Sequence, residues 1–198
     1  DLLNQITTSC LAASTYPVPF LGIYGACSTF AQALGLGAVL LQGDFAQQVL
    51  IGTASHYQTA ERQFRYPIEL NVQHLQTNHV TVTGAAAAIL SFADRGPRIT
   101  HATFGQVVDM GLKDPHDMGS AMAPAAFHTI KAHLADTGRS RQDYDLVLTG
   151  DLGKQGRKML RLLLEREGFE GLERLQDGGS QIFGDWQPVG AGGSGAAC

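Results

Sequence analysis

Apolar and polar positions along the chain switch between a helical and an alternating period. Leu2, Leu3, Ile6, Cys10 and Leu11 recur at helical spacing and predict a helix over 1–14 with Cys10 on its core face, closed by Pro17 and Pro19. The apolar run FLGIYG at 20–25 predicts a short strand, and 28–42 predicts a helix apolar on nearly every side, hence buried all round. Gly43 and Asp44 close that helix, and 48–55 reads as a buried strand. Residues 56–78 are polar and irregular, too long for a simple connection. Strands are expected over 80–92 and 98–109, a loop over 111–123, and a helix over 124–136 with Pro124 in its first turn and Gly138 as its stop.

The apolar strand 144–149 leads to an amphipathic helix over 154–167. Its Met159, Leu160, Leu163 and Leu164 face inward, and Arg157, Arg161, Glu165 and Arg166 face outward. A short strand at 181–183 and a glycine-dense loop at 190–195 follow. Strands alternating with helices argue for an α/β layered fold with mostly parallel pairing.

Composition narrows the function classes. Hydrophobic residues make up 44% and charged residues 16% of 198 residues, a globular profile. A net charge of −4 gives no general field for nucleic acid or anionic lipid, and no apolar run reaches membrane-spanning length. The three separated cysteines, Cys10, Cys27 and Cys198, are no disulfide framework, which points to a cytosol-facing protein. Asp1 is not a natural start and Cys198 falls in a Gly/Ala segment, so the chain is expected to be an internal fragment.

The sharpest chemical feature is a strand, then Gly25-Ala26-Cys27-Ser28-Thr29, then a helix. Unpaired N–H groups and the helix dipole at such a start stabilise a thiolate. The plain alternative is a small buried residue at a tight turn. Of the seven histidines, His56 sits straight after the 48–55 strand, where strand ends in layered α/β folds face pockets. His74, His79, His101, His116, His128 and His133 read as solvated or structural, and no pair has metal spacing. The glycine loop 190–195 lacks a P-loop lysine and reads as a tight turn.

Longer strings carry a family resemblance: DLLNQI at 1–6, FLGIYGACST at 20–29, SHYQTAERQFRYP at 55–67, VTGAAAAIL at 82–90, GPRITHATFGQVVDMGLKDPHDMGSAMAPAA at 96–126 and YDLVLTGDLGKQGR at 144–157. The chain resembles the thiolase superfamily, closest to its ketoacyl synthase III branch, and within it the stage V sporulation proteins that share this fold. The resemblance implies a layered α-β-α-β-α fold. Residues 1–79 would be the end of the N-terminal half with the Cys27 helix and an excursion, and 80–198 most of a truncated C-terminal half.

Decarboxylating synthases of that branch pair a Cys with a His and an Asn. By position Gly150 stands where the His would be, and the 190–195 turn holds no Asn. Glycine offers no side-chain donor. Separately, the family resemblance implies binding of dipicolinic acid during its uptake into the spore, with calcium carried by the ligand and no cofactor or metal of the protein's own. A flat aromatic dianion needs donors or cations at both ends. The candidate ligand-binding set is Cys27, Ser28, Thr29, Ser55, His56, Gly150, Asp151 and Ser194, with charge from Arg62 or Arg65. Asp151 alone is far short of a calcium shell. For Arg62, Arg65 and Glu61 the other reading is a salt-bridge network or dimer interface. The implied partners are spore membrane uptake proteins and a second copy of the chain, at the cytoplasmic face of the spore inner membrane. The alternatives are acyl transfer with Cys27 as nucleophile and a docking platform for membrane partners.

Overall fold

The structure, a computed structural model, describes residues 6–93 and 95–195. The part of the predicted first helix over 1–5, and Cys198, lie outside the described residues. The chain divides into two compact units, one formed by 1–72 and 81–99, the other by 73–80 and 100–197.

In the first unit, α1 (Ile6–Ala13) buries none of its residues, and Cys10 is exposed rather than on a core face. Residues 20–25 form no strand; Phe20 and Leu21 stay exposed, with no neighbouring strand to take their ladder bonds. A 3-10 turn over Ala26–Ser28 runs into α2 (Thr29–Gln42). Thr29, Ala33, Gly37 and Leu41 share the buried face of α2 and Gly35 is buried off that face, while Val39 is 52% exposed. The expectation of all-round burial fails because one sheet packs against this helix, not two. That sheet pairs β1 (Gln48–Ser55) antiparallel with β3 (Gly84–Ser91), from Gln48 opposite Ser91 to Ser55 opposite Gly84.

Gly37 sets the helix–sheet spacing. A Cβ there would lie 2.6 Å from Leu90 Cδ1, 3.5 Å from Val49 Cγ1 and 3.6 Å from Ile51 Cγ2. Glycine in a helix interior costs about 1 kcal/mol against alanine, and close packing offsets that. The polar region predicted as irregular contains α3 (Tyr57–Phe64), whose buried positions are Ala60 and Glu61.

In the second unit, β2 (His79–Thr81), whose first two residues belong here, pairs with β6 (Gly192–Ser194). The expected strand over 98–109 is absent: the segment carries no strand bonds, and Phe104 and Val107 are exposed. α4 (Met118–Thr137) starts six residues earlier than the sequence suggested and holds Pro124 in its interior. Its start is fixed by Asp117, whose side chain accepts from Ser120 N at 3.1 Å, and its end by Gly138 at φ +64.

β4 (Val147–Thr149), α5 (Gly153–Arg166) and β5 (Leu175–Asp177) make a crossover with the strands parallel, Val147 opposite Leu175. Pairing in the chain is thus mixed, antiparallel for β1–β3 and parallel for β4–β5. The apolar core of this unit joins Ala123, Leu152, Leu160, Leu164, Leu172 and Leu175. α4 and α5 touch backbone to backbone where Gly119 meets Gly156; a Cβ on Gly156 would lie 2.7 Å from Gly119 O. No strand forms at 181–183: Gln181 ends a one-turn helix, α6 (Gly178–Gln181), and Ile182 and Phe183 follow it as a bend.

Candidate functional site

The candidate residues fall into two groups, one in each unit. In the first, Cys27 sits half-buried, in no disulfide, in the 3-10 turn that opens α2. The residue before it, Ala26, has φ 51, a left-handed conformation that a Cβ disfavours. Ser28 locks this turn: its Oγ donates to Gly25 O at 2.7 Å and accepts from Gln32 Nε2 at 2.7 Å. Thr29 is buried behind them.

The connection from α2 to β1 is only residues 43–47, so helix and strand run antiparallel, and Gly37 lies over Val49 and Ile51. Eight residues back along the helix is about 12 Å. Five residues on along the strand is about 16 Å. Both steps lead to the same end of the unit, which brings Cys27, Ser28 and Thr29 to the end where Ser55 and His56 stand. Ser55 is buried and donates to Val82 O at 2.6 Å. His56 is exposed just before α3, with Nδ1 3.0 Å from Thr59 Oγ1.

The arginines considered as charge donors are engaged elsewhere. Arg62 pairs with Glu69 at the surface. Hydrogen bonds to its own backbone N–H and to Arg62 hold the Glu69 carboxyl below its usual range. Arg65 is buried and donates through Nη1 to Glu61 Oε1 at 2.5 Å and to Thr81 Oγ1 at 2.6 Å. Thr81 N donates to the same Glu61 oxygen at 2.9 Å. Glu61 is fully buried, and this pair ties α3 to the chain entering β3.

In the second unit Gly150, Asp151 and Ser194 come together. Asp151 is fully buried at φ 56, and its Oδ2 accepts from Gly195 N at 2.7 Å. Gly179 fits beneath it: a Cβ there would lie 2.9 Å from Asp151 Cα and clash with Gly193 O. The glycine loop is the close backbone approach its composition suggested, since a Cβ on Gly190, at φ +61, would lie 2.7 Å from Asn78 O.

Sequence reasoning missed the residue that organises this group. Asp177 is fully buried at the end of β5. Its Oδ1 accepts from Thr149 Oγ1 at 3.0 Å and Leu152 N at 2.7 Å. Its Oδ2 accepts from Gly153 N at 2.9 Å and Ser180 N at 2.8 Å. One carboxylate thus caps both α5 and α6 and holds Gly150 and Asp151 between two fixed points. The signal was present in Asp177-Gly-Gly-Ser180, an N-cap pattern following a strand.

Of the other histidines, His79 is fully buried, and a Cβ on Gly153 would lie 2.6 Å from its Nε2. His133 bridges Thr103 Oγ1 at 2.8 Å and Tyr144 Oη at 2.7 Å, a structural tie between the 97–117 segment and α4. Among the described residues no three His, Cys, Asp or Glu side chains are grouped to hold a metal ion.

Comparison with known proteins gives this geometry a context. The profile of the stage V sporulation protein AD family, SpoVAD, matches residues 1–198. Stage V sporulation protein AD of Bacillus subtilis (strain 168) is 46% identical over all 198 residues; the chain spans 59% of that relative's length. Among solved structures, a 3-oxoacyl-(acyl-carrier-protein) synthase III aligns with a TM-score of 0.53 at 15% identity, over 85% of this chain and 58% of that one. A tetronic acid condensing enzyme, AbyA1, aligns with a TM-score of 0.50 at 20% identity, over 86% and 58%. These two establish likeness of fold: the architecture is a fragment of the thiolase-like α/β fold.

Proposed function

The chain belongs to the SpoVAD family of sporulation proteins, and from that premise we propose that it is the non-catalytic ligand-binding part of a dipicolinic acid uptake system. What supports this reading is a thiol at the start of α2 together with a glycine, Gly150, just after β4, where the resemblance to the synthases puts their histidine. Without an imidazole, and without an Asn in 190–195, the thioester oxygen lacks its preorganised donors. Each such donor is worth roughly 2.7–4 kcal/mol of barrier. The N–H groups at the start of α2 and the His56 imidazole supply donors for a carboxylate. Calcium travels with the ligand as its chelate, as cargo.

The same reading places the protein peripherally at the cytoplasmic face of the spore inner membrane, as a homodimer beside membrane-embedded uptake proteins. No helix among the described residues is long and apolar enough to cross a membrane. Calorimetric titration of the full-length protein with dipicolinate, with and without calcium, tests the assignment. Saturable binding that Cys27→Ala weakens supports it, and no heat under either condition overturns it.

A second reading, acyl transfer with Cys27 as nucleophile, is favoured by the thiol's place at a helix start. Mass spectrometry with an acyl-thioester separates the two. Turnover through a Cys27 adduct would replace the binding reading.

A further inference from the structure

The charges of the chain are unevenly placed. α5 carries Lys154, Arg157, Lys158, Arg161 and Arg166 against one acid, Glu165, in a protein of net charge −4. Four of these, at i, i+3, i+4 and i+7, share one helix face. They line one wall of a groove of about 510 Å³, closed opposite by Leu172, Glu173 and Leu175. Lys154, Lys158 and Arg161 are exposed and Arg157 is half-buried. Arg161 pairs with Glu165 at 2.9 Å; Lys154, Arg157 and Lys158 enter no ion pair among the described residues. The helix start is already satisfied by Asp177, so attraction for an anion here comes from the side chains.

These cations contrast with Arg62 and Arg65 of the first unit, each of which pairs with a glutamate. A small dianion needs two cationic contacts a few ångströms apart, and neighbouring groups on one helix face stand about 5–6 Å apart. Leu172 and Leu175 are taken up by the apolar core, so the apolar contact for a flat ring comes from the aliphatic stems of the lysines and Arg157.

We propose that the α5 groove is a second, weaker binding site, distinct from the Cys27 end, that takes small dicarboxylate anions. This rests on the reading of the ligand as an aromatic dicarboxylate. Contacts of this exposed kind are screened by salt.

The test is calorimetric titration of the full-length protein with dipicolinate at low and high salt. Wild type is compared with Cys27→Ala, with the pair Lys154→Gln and Lys158→Gln, and with Lys158→Arg. Two sites are expected in the wild type. The weaker one loses roughly fivefold to tenfold in affinity in the Gln pair. It also weakens at high salt, and it persists in Cys27→Ala and in Lys158→Arg. Chemical-shift changes at the Lys154–Arg161 amides upon titration give a second readout.

A single site lost in Cys27→Ala and indifferent to the Gln pair overturns the groove and leaves the proposed function standing. A single site lost in the Gln pair and indifferent to Cys27→Ala supports the groove and removes the Cys27 end as the ligand site. Inorganic phosphate displacing dipicolinate from the groove at equal strength overturns its selectivity for dicarboxylates. No binding in the wild type overturns both readings.

Discussion

Replacing Asp177 tests whether one buried carboxylate holds the 149–153 segment in place. In Asp177→Ala, Leu152 N, Gly153 N and Ser180 N lose their acceptor, while the Thr149 hydroxyl still has Gln176 O at 3.1 Å. Leu152 and Gly153 are buried, so water does not replace the carboxylate freely. A buried donor left without a partner costs about 1–3 kcal/mol. An N-cap loss costs about 0.5–2 kcal/mol. Taking two buried donors and one half-buried donor, the expected loss is about 3–6 kcal/mol, a large part of a typical domain's stability. Asp177→Asn keeps Oδ1 with its two donors but turns an NH₂ group toward Gly153 N and Ser180 N, so it should lose about half as much. Urea denaturation of the full-length protein, with hydrogen exchange at Leu152 and Gly153, measures both. If both variants lie within about 0.5 kcal/mol of the parent, or the Asn variant matches the Ala variant, the assignment of four separate acceptor contacts is wrong.

Glu61→Ala strands the buried Arg65 guanidinium and should cost about 3–5 kcal/mol, whereas Glu61→Ala with Arg65→Met should recover most of that loss in the same denaturation assay. Gly153→Ala should destabilise by more than about 1 kcal/mol, because φ is +69 and the new Cβ would lie 2.6 Å from His79 Nε2 and 2.7 Å from Ala191 O. Hydrogen bonds from Ser140 N and then its Oγ hold the Asp143 carboxyl below its ordinary value of 3.8. That contribution is therefore present above the unfolded value and lost as pH falls through the lower folded value. Ser140→Ala keeps the backbone N–H and removes only the hydroxyl, so the Asp143 titration followed by NMR should move up part of the way toward the ordinary value, and an unmoved midpoint would remove the hydroxyl as a cause.

Period and punctuation made α2, β1 and α5 legible in the sequence: α2 and β1 are largely apolar runs separated by Gly43 and Asp44, and α5 buries Leu160 and Leu164 at helical spacing. α3 was hidden for the opposite reason: its buried face is Ala60 and Glu61, and a charged residue reads as solvent-facing until its partner Arg65 is seen. The start of α4 was misplaced by weighting Pro124 as a first-turn residue over Asp117 as a cap. The stretches 20–25 and 98–109 have strand-like side chains but no neighbouring strand, and strand formation is a property of pairs. At the candidate site, Cys27 and the glycine loop announced themselves by local pattern. Asp177 showed locally only as the cap of α6 through Ser180, and its larger role stayed hidden because its other three partners come from Thr149 and the α5 start.

Glycine at 150 raises a sharper question, because a glycine is sometimes imposed by the backbone. Gly153 and Gly190 are of that kind, with positive φ and no room for a Cβ. Gly150 is not among the positive-φ residues, so its conformation admits other side chains. The strained neighbour is Asp151 at φ 56, and that residue is anchored independently by Gly195 N. An imidazole at 150 is therefore not forbidden by φ, and its absence fits a site that does not ask for a donor there. Gly150→His should fold with a stability within about 1 kcal/mol of the parent. On the proposed binding reading it should not turn over an acyl-thioester, since the 190–195 turn supplies no Asn or other second donor of that kind and each donor is worth about 10²–10³ in rate. Single-turnover labelling of Cys27 followed by hydrolysis kinetics measures this. Sustained turnover in Gly150→His would refute the argument that two donors are needed, and would mean that one side chain separates the proposed binding role from acyl transfer.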